Sequence, residues 1–376
     1  MKSLSMLIKP ASSNCNLKCT YCFYYDICTH RTVKSFGMMK VSLLETIVKK
    51  AFNEAEVSCT FAFQGGEPTL VGIKFFKSLI TFVKKYNKNN INVFYAIQTN
   101  GTTINEDWAK FFKEHNFLVG VSLDGTKEIH DQYRLDDCGK GSFNKIITNI
   151  NLLNKYNVQY NILSVVHKNT SRHISKIYKF FKKQDFRYLQ FIPCLDPIND
   201  SRGNYPYSLN AKDYEIFLNK LFDLWFDDFI KGRFISIRYF DDLLSILLGN
   251  NPGSCCMNGF CSCEFIIEAD GSVYPCDFYV LDKYKLGLIE ENSFTELFNS
   301  KITEDFIKSS CNHSSECNNC KWYPLCRSGC RRNKEPNFPN NINDNIFCSS
   351  FKGFFEKNID RLTYAAKLIM KNNSKL

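Results

Sequence analysis

Six stretches in the first half of the chain are apolar and rich in β-branched and aromatic residues. They are LSMLIKP (4–10), VSCTFAFQ (57–64), NVFYAIQ (92–98), FLVGVSL (117–123), VQYNILSVV (158–166) and RYLQFIP (187–193). Segments with apolar residues at helical spacing lie between most of them, such as IKFFKSLITFVKKY (73–86), EDWAKFFKEH (106–115) and SKIYKFFKK (175–183). Strand–helix alternation at this spacing predicts an α/β fold of parallel βαβ units. Six units are too few to close an eight-stranded barrel. The expected architecture for residues 1–196 is therefore a partial, open (β/α)6 barrel of TIM-like type.

Polar punctuation falls after these strands: a cysteine trio after the first, GGEP (65–68) after the second, TNGT after the third and DGT after the fourth. Loops at the carboxyl ends of parallel barrel strands are where such folds put chemistry. Residues 197–254 read as a helical connecting segment around YEIFLNKLFDLWFDDF (214–229). Cysteines dominate 255–348, where little reads as a large independent core, so a domain stapled by metal clusters is expected there. Residues 349–376 read as a closing helix.

Composition changes this picture mainly through sulfur. The 376 residues are 44% hydrophobic and 23% charged, as in an ordinary globular protein. The start, MKSLSMLIKP, has no apolar leader core, and no run is long and apolar enough to span a membrane, so a cytoplasmic protein is expected. Eighteen cysteines in a reducing compartment argue for metal or redox chemistry over a disulfide framework. The formal charge of +10 counts every thiol as neutral. Eleven thiolates around three iron–sulfur cores bring it to about +5. The lysines are also dispersed over helix faces, so neither a nucleic acid nor a membrane partner is expected.

Cys15, Cys19 and Cys22 stand in CNLKCTYC, three thiols with no fourth nearby. A structural zinc ion or a closed four-iron cluster takes four protein ligands. Three thiolates on one loop hold three irons of a [4Fe–4S] cube and leave the fourth open, although zinc with a distant fourth ligand also fits the trio alone. CxxxCxxC with an aromatic, Tyr21, before its last cysteine resembles the signature of the radical S-adenosylmethionine (SAM) superfamily, in which the open iron chelates SAM. GGEP matches that superfamily's second motif. Its glycines let backbone approach a ligand, and a backbone acceptor or Glu67 suits an ammonium group.

Further on, Cys261 is followed by nine residues, Gly271, four residues and Cys276; then come Cys317, Cys320, Cys326, Cys330 and Cys348. This spacing resembles the SPASM domain of radical-SAM enzymes that modify peptides and proteins. The resemblance implies two auxiliary [4Fe–4S] clusters, one on Cys255, Cys261, Cys276 and Cys330 and one on Cys317, Cys320, Cys326 and Cys348. A zinc ribbon over 317–330 is the competing reading of that stretch alone. Cys256 adjoins Cys255, which leaves the eighth ligand ambiguous. Cys28, Cys59, Cys138, Cys194, Cys263 and Cys311 fall outside both patterns and are expected to be small buried hydrophobes.

From LSMLIKPASS through QTNGT, LQFI and SIRYFD to VYPCDFYVLDK, the chain resembles anaerobic sulfatase-maturating enzymes of clostridial type. The resemblance implies an enzyme with three [4Fe–4S] clusters and SAM. Its substrate would be an unfolded or nascent sulfatase polypeptide with a C/S-x-P/A-x-R segment, whose cysteine or serine becomes Cα-formylglycine without oxygen. An external electron donor such as ferredoxin or flavodoxin is implied as well. A 5′-deoxyadenosyl radical would take hydrogen from Cβ, a base the thiol or hydroxyl proton, and an auxiliary cluster the remaining electron. Asp277, directly after Cys276, is the implied base. Tyr24 (by ring or hydroxyl), Gly66, Ser122, Arg134 and Leu195 are the implied SAM contacts. Gln64 and Gln98 end neighbouring strands, where they would bind substrate amides or stabilise the barrel mouth. The alternatives are a SPASM enzyme that forms thioether or carbon–carbon crosslinks and, without catalysis, an iron–sulfur electron carrier or a zinc-stapled binding protein. The trio with GGEP argues against the last two.

Overall fold

A computed structural model describes residues 1–335 and 345–373; the rest of the expected SPASM segment and of the closing helix lies outside them. Among the described residues the strands are β1 (Ser3–Ile8), β2 (Ser58–Phe63), β3 (Asn92–Thr99), β4 (Leu118–Ser122), β5 (Tyr160–Val166), β6 (Tyr188–Pro193), β7 (Ser236–Ile237), β8 (Ile266–Ile267), β9 (Ser272–Tyr274) and β10 (Gly287–Leu288). The chain forms two compact units interleaved in sequence. Residues 1–123, 130–160 and 262–307 make the first, and 124–129, 161–261 and 308 onward the second.

In the first unit β1, β2, β3 and β4 pair in parallel and in chain order, Ile8 opposite Phe63 and Phe63 opposite Ile97. The βα alternation has the expected consequence in β2, which buries every second residue, Cys59, Phe61 and Phe63. In Ile73–Tyr86 the residues Phe76, Leu79, Ile80 and Val83 are buried at helical spacing. Phe76 meets Trp108 edge-on at 5.2 Å, and Tyr95 stacks on Phe117 at 5.0 Å. Each such ring or aliphatic side chain removed from water contributes about 1.5–3 kcal/mol. The surprise lies on the far side of β1. Residues 262–307, expected to belong to a cluster-stapled domain, supply β8, which pairs in parallel with β1 (Ile8 opposite Ile267), and β9 and β10 follow antiparallel. Strands of two or three residues carry no readable alternation, so the sequence pattern did not announce them.

In the second unit β5, β6 and β7 pair in parallel, Leu163 opposite Gln190 and Leu189 opposite Ile237. The helix Ala211–Ile230 packs along Cys348–Asn373, which begins at Cys348 itself. Phe222 meets Phe354 at 5.6 Å, and Arg361 is bonded to Asp223 at 2.7 Å. Among the described residues no helix is long and apolar enough to cross a membrane.

Candidate functional site

The cysteine trio sits on a loop that leaves β1 at Lys9 and is folded by its own backbone. Ser12 N–H donates to Lys9 C=O at 3.1 Å and Asn14 N–H to Ala11 C=O at 2.9 Å. GGEP then closes against this loop: Gly66 N–H donates to Ser12 C=O and Glu67 N–H to Asn14 C=O, both at 2.8 Å. A Cβ on Gly66 would lie 2.0 Å from Asn14 O, so only glycine permits the approach. Of the two ammonium acceptors that the motif offered, a backbone carbonyl or Glu67, Glu67 is already committed. It is fully buried and accepts from Thr69 N–H and Oγ1, Thr99 Oγ1 and Asn100 N–H, so it knits the loops after β2 and β3 together. Burial raises its pKa above the usual carboxylate range despite these donors.

Within the trio, burial pushes the Cys15 thiol up to about 11, with Cys22 among its neighbours. Leu17 N–H and Asn100 Nδ2 reach Cys15 Sγ at 3.4 and 3.7 Å. Cys22 caps the helix Phe23–Thr29, its sulfur accepting from Tyr25 N–H. Neutral thiols at ordinary pH become ligands when a metal displaces their protons. An all-cysteine set suits iron–sulfur or zinc chemistry.

Asp277 follows β9 and Cys276, and two side chains from the ends of neighbouring strands hold it. Lys9 Nζ is salt-bridged to Oδ1, and Gln64 Nε2 donates to Oδ2 at 2.8 Å. Lys9 is completely buried, its ammonium 3.7 Å from the Tyr24 ring centroid, whereas Asp277 keeps 17% of its side chain exposed. Each carboxylate oxygen thus has one donor and lone-pair capacity left over. Sequence reasoning missed Lys9. The one signal was a lone cation ending the apolar run before the trio.

Behind Lys9 lies a second buried group. Tyr24 hydroxyl donates to Glu268, the residue after β8, and Arg31 Nη1 bonds the same Oε1 at 2.7 Å. The Tyr24 hydroxyl is therefore engaged inside the protein. Burial, with Glu268 beside it, raises the Tyr24 pKa well above the ordinary phenol value.

Ser122, at the end of β4, accepts from Gln98 Nε2 at 3.1 Å. Each of the glutamines flagged in the sequence thus gives one amide hydrogen bond to a neighbouring site residue. Arg134 is buried with its guanidinium carbon 5.5 Å from the Tyr21 ring centroid, and residues 133 and 135 accept backbone hydrogen bonds from Thr20 and Lys18 of the trio loop. Leu195 belongs to the second unit, where it is buried just past β6.

In the second unit Cys317, Cys320, Cys326 and Cys348 line one small cavity. Burial first, and the other three thiols after it, raise Cys326 to about 12. Cys330 is raised to about 11 by burial, with Cys261 nearby. Cys256, the bystander of the sequence reading, has its thiol near Cys330 and Cys255, while Cys255 itself is exposed. Cys276 lies in the first unit. Among the described residues no three His, Cys, Asp or Glu side chains stand ready around a metal ion, so the fit of a cluster rests on the donor chemistry and the grouping of thiols. The six remaining cysteines are not uniformly buried hydrophobes: Cys28, Cys59 and Cys194 are buried, but Cys138 and Cys311 are exposed. Cys28 also accepts from Arg31 at 3.1 Å.

A cysteine trio on the loop after β1, a glycine loop locked onto it and a second set of cysteines define the class. The sequence matches the family model of the Radical SAM superfamily over residues 10–181 and that of the SPASM iron–sulfur cluster-binding domain over residues 256–321. A cysteine-type anaerobic sulfatase-maturating enzyme of Clostridium novyi (strain NT) is 80% identical over 98% of this chain and 99% of its own. A serine-type one of Bacteroides thetaiotaomicron is 30% identical over 98% of this chain and 92% of its own. The solved structure described as native anSMEcpe with bound AdoMet and Cp18Cys peptide superposes with a TM-score of 0.93 at 51% identity, over 98% of this chain and 99% of that one. The chain belongs to the family of anaerobic sulfatase-maturating enzymes.

Proposed function

We propose that the chain oxidises the target cysteine of an unfolded or nascent sulfatase, within a C-x-P/A-x-R segment, to Cα-formylglycine. The hold of Lys9 and Gln64 on Asp277, at the exits of β1 and β2 where the trio loop begins, carries the reading. Cysteine rather than serine is supported by the 80% identical relative being of the cysteine type. Cys15, Cys19 and Cys22 would hold a [4Fe–4S] cluster with an iron open to SAM, and the auxiliary clusters keep the cysteine sets given above, with Cys255 as the eighth ligand. When bound, these groups supply a 5′-deoxyadenosyl radical that removes hydrogen from Cβ, and an acceptor for the electron left behind.

The protein's own residues do the rest. Asp277 takes the thiol proton on a free lone pair while Lys9 and Gln64 fix its orientation. Loss of that proton with one hydrogen atom and one electron leaves a thioaldehyde, which water converts to the aldehyde and sulfide. Gly66 admits SAM's polar end to the backbone, Ser122 offers it a hydroxyl, and Arg134, steadied on Tyr21, suits its carboxylate. The Tyr24 ring meets adenine, and an adenine contact by Leu195 rests on the family resemblance alone. An external ferredoxin or flavodoxin supplies the reducing electron, in a cytoplasmic setting where thiols stay reduced. The division into barrel (1–196), connecting segment (197–254), SPASM segment (255–348) and closing helix (349–376) is part of the same reading.

A synthetic C-x-P-x-R peptide tests it, with the anaerobically reconstituted enzyme, SAM and dithionite. The expected product has formylglycine in place of cysteine and one sulfide released per aldehyde. A product lighter by two hydrogens, with no sulfide, would mean a crosslinking enzyme instead.

A further inference from the structure

The cavity lined by Cys317, Cys320, Cys326 and Cys348 also takes in Trp322 and Ser328. Trp322 Nε1 and Ser328 Oγ are both buried, and neither has a hydrogen-bond partner among the described residues. Leaving a buried donor unsatisfied costs about 1–3 kcal/mol. Native proteins leave few such groups unexplained, and two in one small cavity call for an acceptor that belongs inside it. Glu316, the carboxylate on the cavity wall, is turned to Lys352 at 3.3 Å.

The backbone around Ser328 is committed in the same direction. Arg327, Ser328 and Gly329 are consecutive left-handed residues, with φ of 46°, 67° and 67°. A left-handed conformation costs a residue with a Cβ roughly 1–2 kcal/mol. The Ser328 backbone N–H acts to lower the pKa of the Cys326 thiol, and Ser328 C=O accepts from Asn345 Nδ2 at 3.1 Å. The carbonyl is thereby used, and Ser328, 3% exposed as a residue, is part of the cavity wall. The Trp322 ring is held between Lys321, 4.7 Å from its centroid, and Phe355.

We infer that Ser328 Oγ–H and Trp322 Nε1–H donate hydrogen bonds to the sulfurs of the second auxiliary cluster and raise its reduction potential. The inference rests on the reading that these four cysteines hold a [4Fe–4S] cluster. Donors stabilise the more negatively charged, reduced state, so the cluster accepts an electron more readily with them than without. That suits a cluster that accepts an electron and passes it on.

Three substitutions in the full-length, anaerobically reconstituted protein test this. Ser328→Gly removes the hydroxyl and fits the left-handed backbone, Ser328→Ala removes the hydroxyl alone, and Trp322→Phe removes the N–H but keeps a ring. Iron and sulfide are counted, then midpoint potentials are read by titration followed by electron paramagnetic resonance. The wave that also moves in Cys348→Ser marks the cluster concerned. Expected is full iron content and displacement of that one wave to lower potential in the Ser328 variants and in Trp322→Phe, with SAM cleavage unchanged. Full iron with the marked wave in place in all three, or displacement of a different wave, overturns the inference. If Ser328→Ala loses iron, Ser328→Gly and Trp322→Phe decide it. A wild-type protein lacking about four of the expected irons, or holding zinc, instead overturns the reading beneath it.

Discussion

Lys9 and Asp277 are salt-bridged across 268 residues of sequence, the lysine fully buried at the end of β1 and the aspartate partly open at the exit of β9. Gln64 completes the grip from β2. A carboxylate held on both oxygens by neighbouring strand ends has a fixed direction, which a positioned base needs before anything else.

Asp277→Asn keeps the shape but cannot take a proton at neutral pH. The variant should retain its iron and still form 5′-deoxyadenosine with peptide present, while formylglycine falls by roughly 10²-fold or more. Deoxyadenosine and aldehyde are measured in one reaction. An aldehyde yield near that of the wild type would reduce Asp277 to a structural neighbour of Cys276.

Lys9→Met keeps most of the buried stem and removes the ammonium, which leaves Asp277 without its ion pair. Breaking such a pair costs about 3 kcal/mol, a value at the low end because Asp277 is partly exposed. Anaerobic denaturant melts should show this loss, with part of it recovered in the double variant with Asp277→Asn. Aldehyde should fall faster than deoxyadenosine. Wild-type stability together with wild-type aldehyde would rule out the positioning role.

Gly66→Ala puts a methyl 2.0 Å from Asn14 O and must push the two loops apart. The bonds from Gly66 to Ser12 and from Glu67 to Asn14 go with the movement. At about 1 kcal/mol each, their loss should weaken SAM binding by roughly tenfold or more. Equilibrium binding of SAM reads the change, and the auxiliary clusters should stay loaded. Unchanged affinity would show that the contact between the loops does not shape the SAM site.

Wild-type protein reconstituted without oxygen should hold about twelve irons and twelve sulfides, and the triple alanine variant of Cys15, Cys19 and Cys22 about eight. The variant should make no deoxyadenosine with dithionite. Deoxyadenosine from it would move the SAM site elsewhere.

Strands β1 to β6 were legible because each lies in an apolar run of five or more residues separated by helical periodicity. The trio and GGEP were legible because they lie close in sequence to the strands that carry them. Lys9, Glu268 and Arg31 were not. A buried charge announces itself only through its partner, and Arg31 is bonded to a residue 237 positions away. The strands β8 to β10 escaped for a different reason, since at two or three residues each they show no period and the surrounding cysteines drew attention to metal chemistry. The engagement of Glu67 was not legible either, since its motif allowed a ligand role while four donors from its own and the next loop already occupy it.

The pairing of β8 with β1 also governs the order in which the molecule can be made. Leu7 and Lys9 donate their backbone N–H groups to Phe265 and Ile267. Until a ribosome has delivered residues 262–288, β1 is an open sheet edge, and Arg31 and Lys9 are cations without their carboxylates. A nascent chain that already displays the trio therefore still lacks the carboxylates that Lys9 and Arg31 face beside it. Contacts this distant in sequence close slowly, so the trio's loop can fold on itself early while the sheet edge beside it and the ion pairs behind it are completed only after most of the protein has been synthesised.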